Sequence, residues 1–210
     1  QQSVGLYSHR YEKKDDSKHK PALLLSKKGK IYFNTTSRDR KRFDVHVADI
    51  NTGEVTTLIE EHFNTYIESR GKSIRLFNNE SEILFWSERD GWGHYYLYDA
   101  NGNLKRQVTN GEFHVDTFQG IDEKERVVYF TANGVDKNID PYYAHLYRIN
   151  LNGTGLKSLN PGDFNSSVNI SDSKKYFVSN LSFIQKVFFL REYPNQELFE
   201  ILFNYSVLKV

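Results

Sequence analysis

The sequence predicts an all-β fold, and within that class a partial β-propeller of about four four-stranded antiparallel blades. Short β-rich runs recur along the chain, runs of alternating polar and apolar residues follow them, and turn residues punctuate each repeat. The aromatic residues that anchor the β-rich runs, Phe33, Phe85, Phe130 and Phe177, are 52, 45 and 47 residues apart. Four strands in about 45 residues is the period typical of a propeller blade.

The strands of each repeat are predicted from the same order of signals. The β-rich runs lie at residues 30–33, 82–86, 127–130 and 175–178. Runs with a period of two, which indicate half-buried strands, follow at 44–49, 95–99 and 145–149. Turn residues come next, at Asn51-Thr52-Gly53, Asn101-Gly102 and Asn152-Gly153, and final strands at 55–58, 104–108 and 156–159. Gly and Asn tolerate the positive φ that such turns require.

The fourth repeat is degenerate, with a third strand predicted at 186–190, a turn at 193–196 and a last strand at 197–202. A short helix within 197–208 is the one competing interpretation. Leading strands are predicted at 21–25, at Tyr66 or 74–76, at 113–118 and at 168–170. These signals divide the chain into a polar arm at 1–20, a propeller at 21–205 with blades at 21–60, 63–109, 113–160 and 164–203, and a tail at 206–210.

The composition excludes several classes of function. Lys and Arg number 28 against 27 Asp and Glu, so no strong net field attracts nucleic acid or an anionic membrane. The absence of Cys excludes disulfides, a zinc–thiolate centre and a cysteine nucleophile. The seven His lack metal-ligand spacing, and no apolar run approaches the roughly 18 residues that span a bilayer. We therefore expect no metal, no cofactor, no nucleic-acid partner and no membrane span.

No catalytic residue is predicted in this chain. An α/β-hydrolase carries its nucleophile in a Gly-x-Ser-x-Gly turn, and the sequence contains no such pentapeptide. The nearest approach, Gly71-Lys72-Ser73, has no second glycine. The pair Glu60-Glu61 follows the last predicted strand of the first repeat, and we interpret it as two solvated carboxylates.

Two segments resemble a known family. Residues 87–99, Ser-Glu-Arg-Asp-Gly-Trp-Gly-His-Tyr-Tyr-Leu-Tyr-Asp, resemble a loop and strand in the later propeller blades of the dipeptidyl peptidase IV and prolyl tripeptidyl peptidase family. Residues 109–115 resemble the entry to the next blade, and the likeness extends over residues 28–205. In these prolyl oligopeptidase-type serine peptidases, the propeller accompanies an α/β-hydrolase domain. The resemblance implies that this chain is the second half of such a propeller.

The resemblance also implies partners and a compartment. The partners would be the hydrolase domain, the remaining propeller blades and a peptide substrate, and the protein would be exported to the periplasm or the extracellular space. Because an open arc of blades leaves an apolar face at each end, we expect it to contact its missing half or, as the second choice, to form a homodimer.

The loop at residues 88–94 is the candidate functional site. By resemblance it faces the central cavity and lines the pocket for the substrate residue before proline. The substrate-pocket candidates are Trp92, Arg89, His94 and Glu88. Trp92 is predicted to be partly exposed, because Gly91 and Gly93 beside it give backbone freedom and little packing. The alternative, a blade hairpin whose tryptophan packs on its neighbour, stays open.

Two functions fit the sequence. The first is a non-catalytic propeller segment of a dipeptidyl or tripeptidyl peptidase-like protein, which gates and shapes substrate access to a serine hydrolase domain. The alternative is a stand-alone propeller that binds a protein, peptide or glycan through its loops.

Overall fold

The computed structural model describes residues 24–67 and 74–182 with their side chains and residues 205–209 as backbone. All regular secondary structure in these ranges is β-strand, which confirms the predicted all-β class. Within the same ranges, the structure offers no helix with the length and apolar character that a membrane span needs.

The strands form four antiparallel sheets, called blades 1 to 4, whose strands are adjacent in chain order. Blade 1 comprises β1 (Leu24–Leu25), β2 (Lys30–Thr36), β3 (Arg42–Asp49) and β4 (Val55–His62). Blade 2 comprises β5 (Arg75–Phe77), β6 (Glu82–Ser87), β7 (His94–Asp99) and β8 (Leu104–Gln107). Blade 3 comprises β9 (His114–Asp122), β10 (Val127–Asn133), β11 (Ala144–Asn150) and β12 (Lys157–Ser158). Blade 4 contains β13 (Asn165–Ile170), β14 (Tyr176–Ser182) and β15 (Tyr205–Lys209).

Blade 4 differs from its prediction at its third strand. β15 pairs with β14, with Val207 opposite Val178. The tail predicted at 206–210 is therefore wrong for 206–209, and the helix alternative is wrong for 205–208. The backbone groups along the outer edge of β14 need hydrogen-bonding partners, and residues 205–209 supply them. The elements predicted at 186–190, 193–196 and 197–202 lie outside the described residues.

The hydrophobic core lies between the blades. Along β6, Ile83 and Phe85 belong to the core shared with blade 1, whereas Leu84 and Trp86 belong to the core shared with blade 3. This alternation arises because successive residues of a strand point to opposite faces of the sheet. Trp86 also donates a hydrogen bond from Nε1 to the backbone oxygen of Val115 in blade 3, at 2.8 Å. Both faces of blade 2 are therefore buried.

The turn between β7 and β8 packs directly on blade 1. Gly102 in this turn has a φ of 85°, and a Cβ at this position would overlap the backbone oxygen of Leu58. Asp99 holds the turn by accepting the backbone N–H groups of Asn101 and Asn103, each at 2.9 Å. Glycine is required here both by the left-handed backbone and by the close approach.

The outward faces of the first and last described blades both carry exposed apolar side chains. On blade 4, Tyr176 and Val178 of β14 point away from blade 3 and are 49% and 36% exposed. On blade 1, the outward face also carries apolar side chains: Leu25 and Val55 are 67% and 53% exposed, and the ring centroid of Phe33 lies 5.1 Å from that of His46. His46 adds polar groups to this face, because its ring nitrogens lie 2.8 and 3.0 Å from the hydroxyl oxygens of Thr35 and Thr57. Exposed apolar side chains are therefore present on both outward faces, as the sequence predicts.

A buried carboxylate joins blades 2 and 3. The side chain of Glu82 is 4% exposed and accepts the Lys105 ammonium at 2.6 Å. It also accepts the guanidinium of Arg126, which lies in the turn between β9 and β10 of blade 3. The hydrogen bond from Arg126 is the main cause that lowers the pKa of Glu82 to about 2. The carboxylate is therefore ionised at neutral pH and links a strand of blade 2 to a turn of blade 3.

We predict that Glu82→Gln lowers the free energy of unfolding at pH 7 by about 2 kcal/mol, because charge-assisted hydrogen bonds are lost from a buried site. The pKa of Glu82 is about 2 in the folded state, compared with an ordinary value of 4.5. The ionised carboxylate therefore stabilises the fold fully above pH 4.5, and this stabilisation is lost as the pH falls from 4.5 towards 2. The difference between wild type and variant should shrink over that window. Urea denaturation at several pH values measures it, with exposed Glu54→Gln as the control. An equal loss in both variants would contradict the assignment.

Candidate functional site

The loop at residues 88–93 connects β6 to β7 in blade 2. It begins after Ser87 and ends before His94, which are opposite each other in the sheet. The backbone oxygen of Glu88 accepts the N–H of Gly91 at 2.9 Å, and Asp90 accepts the N–H of Trp92 at 3.3 Å. These bonds fold the loop into a compact turn that places its side chains at the end of blade 2.

Trp92 is 44% exposed, which confirms the prediction of partial exposure. The neighbouring Gly93 is buried, and a Cβ there would overlap the rings of Trp86 and His114. The backbone oxygen of Gly93 also accepts the N–H of Val115 at 2.8 Å. The loop is therefore fixed at Gly93 against blade 3, while Trp92 extends into solvent.

A pocket of about 530 Å³ lies beside the loop. One side is formed by residues 62–66, which end and follow β4 of blade 1, and the other by Glu88, Arg89 and Gly91 of blade 2. Two of the four sequence-predicted site residues, Glu88 and Arg89, therefore line it. Trp92 and His94 do not contribute to its lining.

Arg89 is held in a fixed position at the pocket. Its Nη2 lies 3.0 Å from Oε1 of Glu61, and its Nε donates to the hydroxyl of Ser87 at 3.0 Å. Ser87 in turn donates to the Glu61 carboxylate. The guanidinium carbon of Arg89 lies 4.2 Å from the ring centroid of Tyr96 and 5.7 Å from that of Tyr98, which are cation–π contacts. Contacts on several sides leave the charged group little rotational freedom.

Glu61 is buried, so its interpretation as a solvated carboxylate is wrong. Its side chain is 2% exposed, whereas that of Glu60 is 65% exposed, so only Glu60 fits the description of a solvated carboxylate. β4 continues to His62, and its register with β3 shifts by one residue, so that Val45 pairs with Ile59 and His46 with Thr57. This β-bulge places Ile59 and Glu61 on the face that packs against blade 2.

The structure also contradicts the predicted role of His94 as a substrate-pocket residue. The residue is 0% exposed, and its ring lies 4.9 Å from that of Phe113. Nδ1 lies 3.1 Å from the hydroxyl oxygen of Thr109, and Nε2 lies 3.0 Å from the backbone oxygen of Gly111. Burial lowers the pKa of His94 below its ordinary value. The imidazole therefore holds the chain segment that leads into blade 3 and is not open to a ligand.

The described residues contain no cluster of three or more His, Cys, Asp or Glu side chains that could hold a metal ion. The chemistry of the pocket is instead that of polar recognition. Arg89 supplies hydrogen-bond donors and Glu88 supplies acceptors, with the aromatic ring of Tyr66 on the opposite side.

Antiparallel blades packed face to face around shared cores, with a pocket between two neighbouring blades, define the chain as part of a β-propeller. The chain belongs to the family of the dipeptidyl peptidase IV (DPP IV) N-terminal region, which its residues 19–185 match. The resemblance identified in residues 87–99 and 109–115 is thereby confirmed. The match is to the N-terminal region of these peptidases and not to their catalytic domain.

Curated relatives match shorter segments. The chain is 31% identical over 74 residues to dipeptidyl peptidase 4 of Trichophyton equinum, covering 35% of this chain and 10% of the relative. It is 37% identical over 55 residues to dipeptidyl peptidase 4 of Arthroderma otae, covering 26% of this chain and 7% of the relative. The match thus spans a tenth or less of these curated relatives.

Two solved structures share the fold. Dipeptidyl peptidase 4 of Porphyromonas gingivalis superimposes with a TM-score of 0.63 at 18% identity, over 72% of this chain and 21% of that structure. A putative dipeptidyl aminopeptidase IV of Bacteroides ovatus gives a TM-score of 0.64 at 22% identity, over 77% of this chain and 25% of that structure. At these identities the likeness concerns the fold alone.

We predict that Glu61→Gln lowers the free energy of unfolding by about 2 kcal/mol, because Arg89 and Ser87 lose a buried charged acceptor. The adjacent Glu60→Gln is a matched control, since exposed Glu60 lies 3.6 Å from exposed Arg42 and such surface pairs contribute about 0–1 kcal/mol. Urea denaturation of both variants measures the difference. Equal losses, or a larger loss for Glu60→Gln, would contradict the assignment of Glu61 as the buried partner.

Proposed function

We propose that this chain is a non-catalytic propeller segment of a dipeptidyl or tripeptidyl peptidase-like protein, and that it gates and shapes substrate access to a serine hydrolase domain. The observation that carries the proposal is the pocket between blades 1 and 2, which contains a fixed arginine in a chain that belongs to the DPP IV N-terminal family. The names of the curated relatives, dipeptidyl peptidase 4, support a peptide as the ligand.

The chemistry of the pocket fits a short peptide. Its volume of about 530 Å³ lies within the roughly 300–1,000 Å³ of small-ligand sites. A peptide chain presents carbonyl oxygens and N–H groups in alternation, so it can accept from Arg89 and donate to Glu88. Because Arg89 is already held by Glu61 and Ser87, its orientation requires little additional ordering when a ligand binds.

The proposed partners follow from the exposed faces of the arc. Tyr176 and Val178 on blade 4 would be covered by another blade of the same protein, with self-pairing of the chain as the second choice. The hydrolase domain would meet the end of the arc that carries residues 88–93. Export to the periplasm or the extracellular space is part of the same proposal.

A stand-alone interaction propeller is the second candidate function. The observation that favours it is a pair of exposed aromatic side chains in corresponding loops, Trp92 at 44% between β6 and β7 and Tyr142 at 87% between β10 and β11. Exposed aromatic residues are frequent anchors of protein interfaces. This candidate requires no hydrolase domain.

We expect Glu88→Ala to raise KM for an Xaa-Pro chromogenic substrate about fivefold, which corresponds to ~1 kcal/mol, in the protein that joins this segment to its hydrolase domain. The value of kcat should stay within about twofold, because a group that only binds the substrate acts equally on the ground and transition states. Glu112→Ala is the matched control, since Glu112 is exposed and outside the pocket. An unchanged KM in Glu88→Ala would exclude Glu88 from the substrate path.

The 210-residue chain by itself should not hydrolyse the same substrate, because it contains no Gly-x-Ser-x-Gly nucleophile turn. Turnover by the purified chain that a serine-directed inhibitor blocks would contradict the non-catalytic assignment.

A further inference from the structure

A 20-residue pattern occurs twice, at residues 94–113 and 145–164, with a spacing of 51 residues. Each copy begins with a histidine in the third strand of its blade and ends with Gly-x-Phe in the linker to the next blade. The matching residues are His94, Thr109, Gly111 and Phe113 in the first copy and His145, Asn160, Gly162 and Phe164 in the second. We call the four residues of the first copy the histidine latch.

The hydrogen bonds of the histidine latch define the tautomer of His94. Nε2 lies 3.0 Å from the backbone oxygen of Gly111, which can only accept, so Nε2 carries the proton. Nδ1 lies 3.1 Å from the hydroxyl oxygen of Thr109, which already accepts the N–H of Tyr95 at 2.9 Å. The hydroxyl therefore donates to Nδ1. A second proton on Nδ1 would remove the acceptor of this hydroxyl.

The surroundings of His94 disfavour a positive charge. The residue is 0% exposed and its ring packs edge-on against Phe113. Burial is the main cause that lowers the pKa of His94, and it outweighs the hydrogen bond to Gly111 and the charge of Asp90, which both raise the pKa; His114 of β9 adds to the lowering. Glu112 of the linker has a side chain that is 82% exposed, so solvent screens its charge.

The second copy repeats the packing between blades 3 and 4 but not the imidazole hydrogen bond, since the buried Nε2 of His145 has no hydrogen-bond partner among the described residues. His145 is 2% exposed and its ring lies 5.2 Å from that of Phe164. Asn160 accepts the N–H of Leu146 at 2.7 Å and donates to the hydroxyl of Ser166 at 2.9 Å. Burial likewise lowers the pKa of His145. The packing of a buried histidine on a linker phenylalanine therefore occurs at two successive blades.

We propose that the histidine latch is a pH-sensitive anchor of the candidate loop: neutral His94 holds the end of the loop and the linker at residues 109–113, and protonated His94 releases both. The loop ends at Gly93, directly before His94, so the imidazole bonds to Thr109 and Gly111 fix the loop against the linker. The inference concerns the mobility of these segments and is independent of what the loop binds.

The direction of the effect follows from proton linkage. Because the pKa of His94 in the closed state is lowered from 6.5, the open state binds the proton more tightly. The closed latch is therefore fully favoured above about pH 6.5 and is progressively destabilised as the pH falls below that value. The opening equilibrium therefore rises between pH 7.5 and 5.5, by at most about tenfold, which is the limit in which only the open state takes up the proton.

Hydrogen exchange of the intact chain tests the proposal. After correction for intrinsic exchange rates, local opening at the amides of Tyr95 and Phe113 should rise severalfold, up to about tenfold, from pH 7.5 to 5.5, with little change in peptides of β2 and β3. His94→Gln, whose amide can still donate to Gly111, should reduce this rise to less than about twofold. His46→Gln, on the outward face of blade 1 and outside the pocket, should retain it. An absent rise, an equal rise in His94→Gln, or an equal rise throughout the chain would overturn the latch.

A second measurement remains decisive if His94→Gln does not fold. The wild-type imidazole of His94 can be titrated by NMR through its ring carbon-bound protons. A pKa below 6.5, accompanied by line broadening of residues 88–94 as the pH falls, is the expected result. A pKa at or above 6.5 would overturn the proposal.

Discussion

The described structure depends on the burial of the facing sheets between neighbouring blades. An isolated antiparallel sheet commonly exposes one face to water and shows alternating polar residues there, whereas β6 is buried along its whole length. Its apolar residues are divided between two inter-blade cores, so both blade 1 and blade 3 are needed to bury them. The candidate pocket follows from this arrangement, because its two sides belong to different blades and their distance is set by the core beneath them.

Ion pairs of buried carboxylates restrict how neighbouring blades are oriented relative to each other. Glu61 of blade 1 binds Arg89 of blade 2, and Glu82 of blade 2 binds Arg126 of blade 3. Apolar contacts tolerate small rotations of one sheet on another, whereas a hydrogen-bonded ion pair has a narrow range of distances and angles. Leaving a buried charge without its partner costs several kcal/mol, so these pairs disfavour alternative blade registers. The arginine of the pocket is thus positioned by the contact that also aligns blades 1 and 2.

The fold was predictable because a blade has a strong local signature. The runs at residues 82–86 and 127–130 and the turn at Asn101-Gly102 reflect period-two burial and positive φ, which are properties of the residues themselves. The orientation of Glu61 was not predictable, because a bulge in β4 places it on the buried face. No residue in that strand is of a type that indicates a bulge. β15 was missed because the partner of an edge strand is chosen by tertiary pairing. The burial of His94 also depends on a distant segment, although its repetition as His145 at a spacing of 51 residues is visible in the sequence.

The outer faces of blades 1 and 4 are the two places where the repeated packing of the described blades stops. Leu25 and Val55 on blade 1 and Tyr176 on blade 4 are 67%, 53% and 49% exposed. Apolar area that stays in contact with water does not contribute the roughly 25 cal/mol per Å² that its burial would add. The face of blade 1 also carries His46 and its two threonine partners, whose polar atoms a covering surface would have to match with hydrogen bonds. The stability of the terminal blades is therefore set by their surroundings as well as by their own residues.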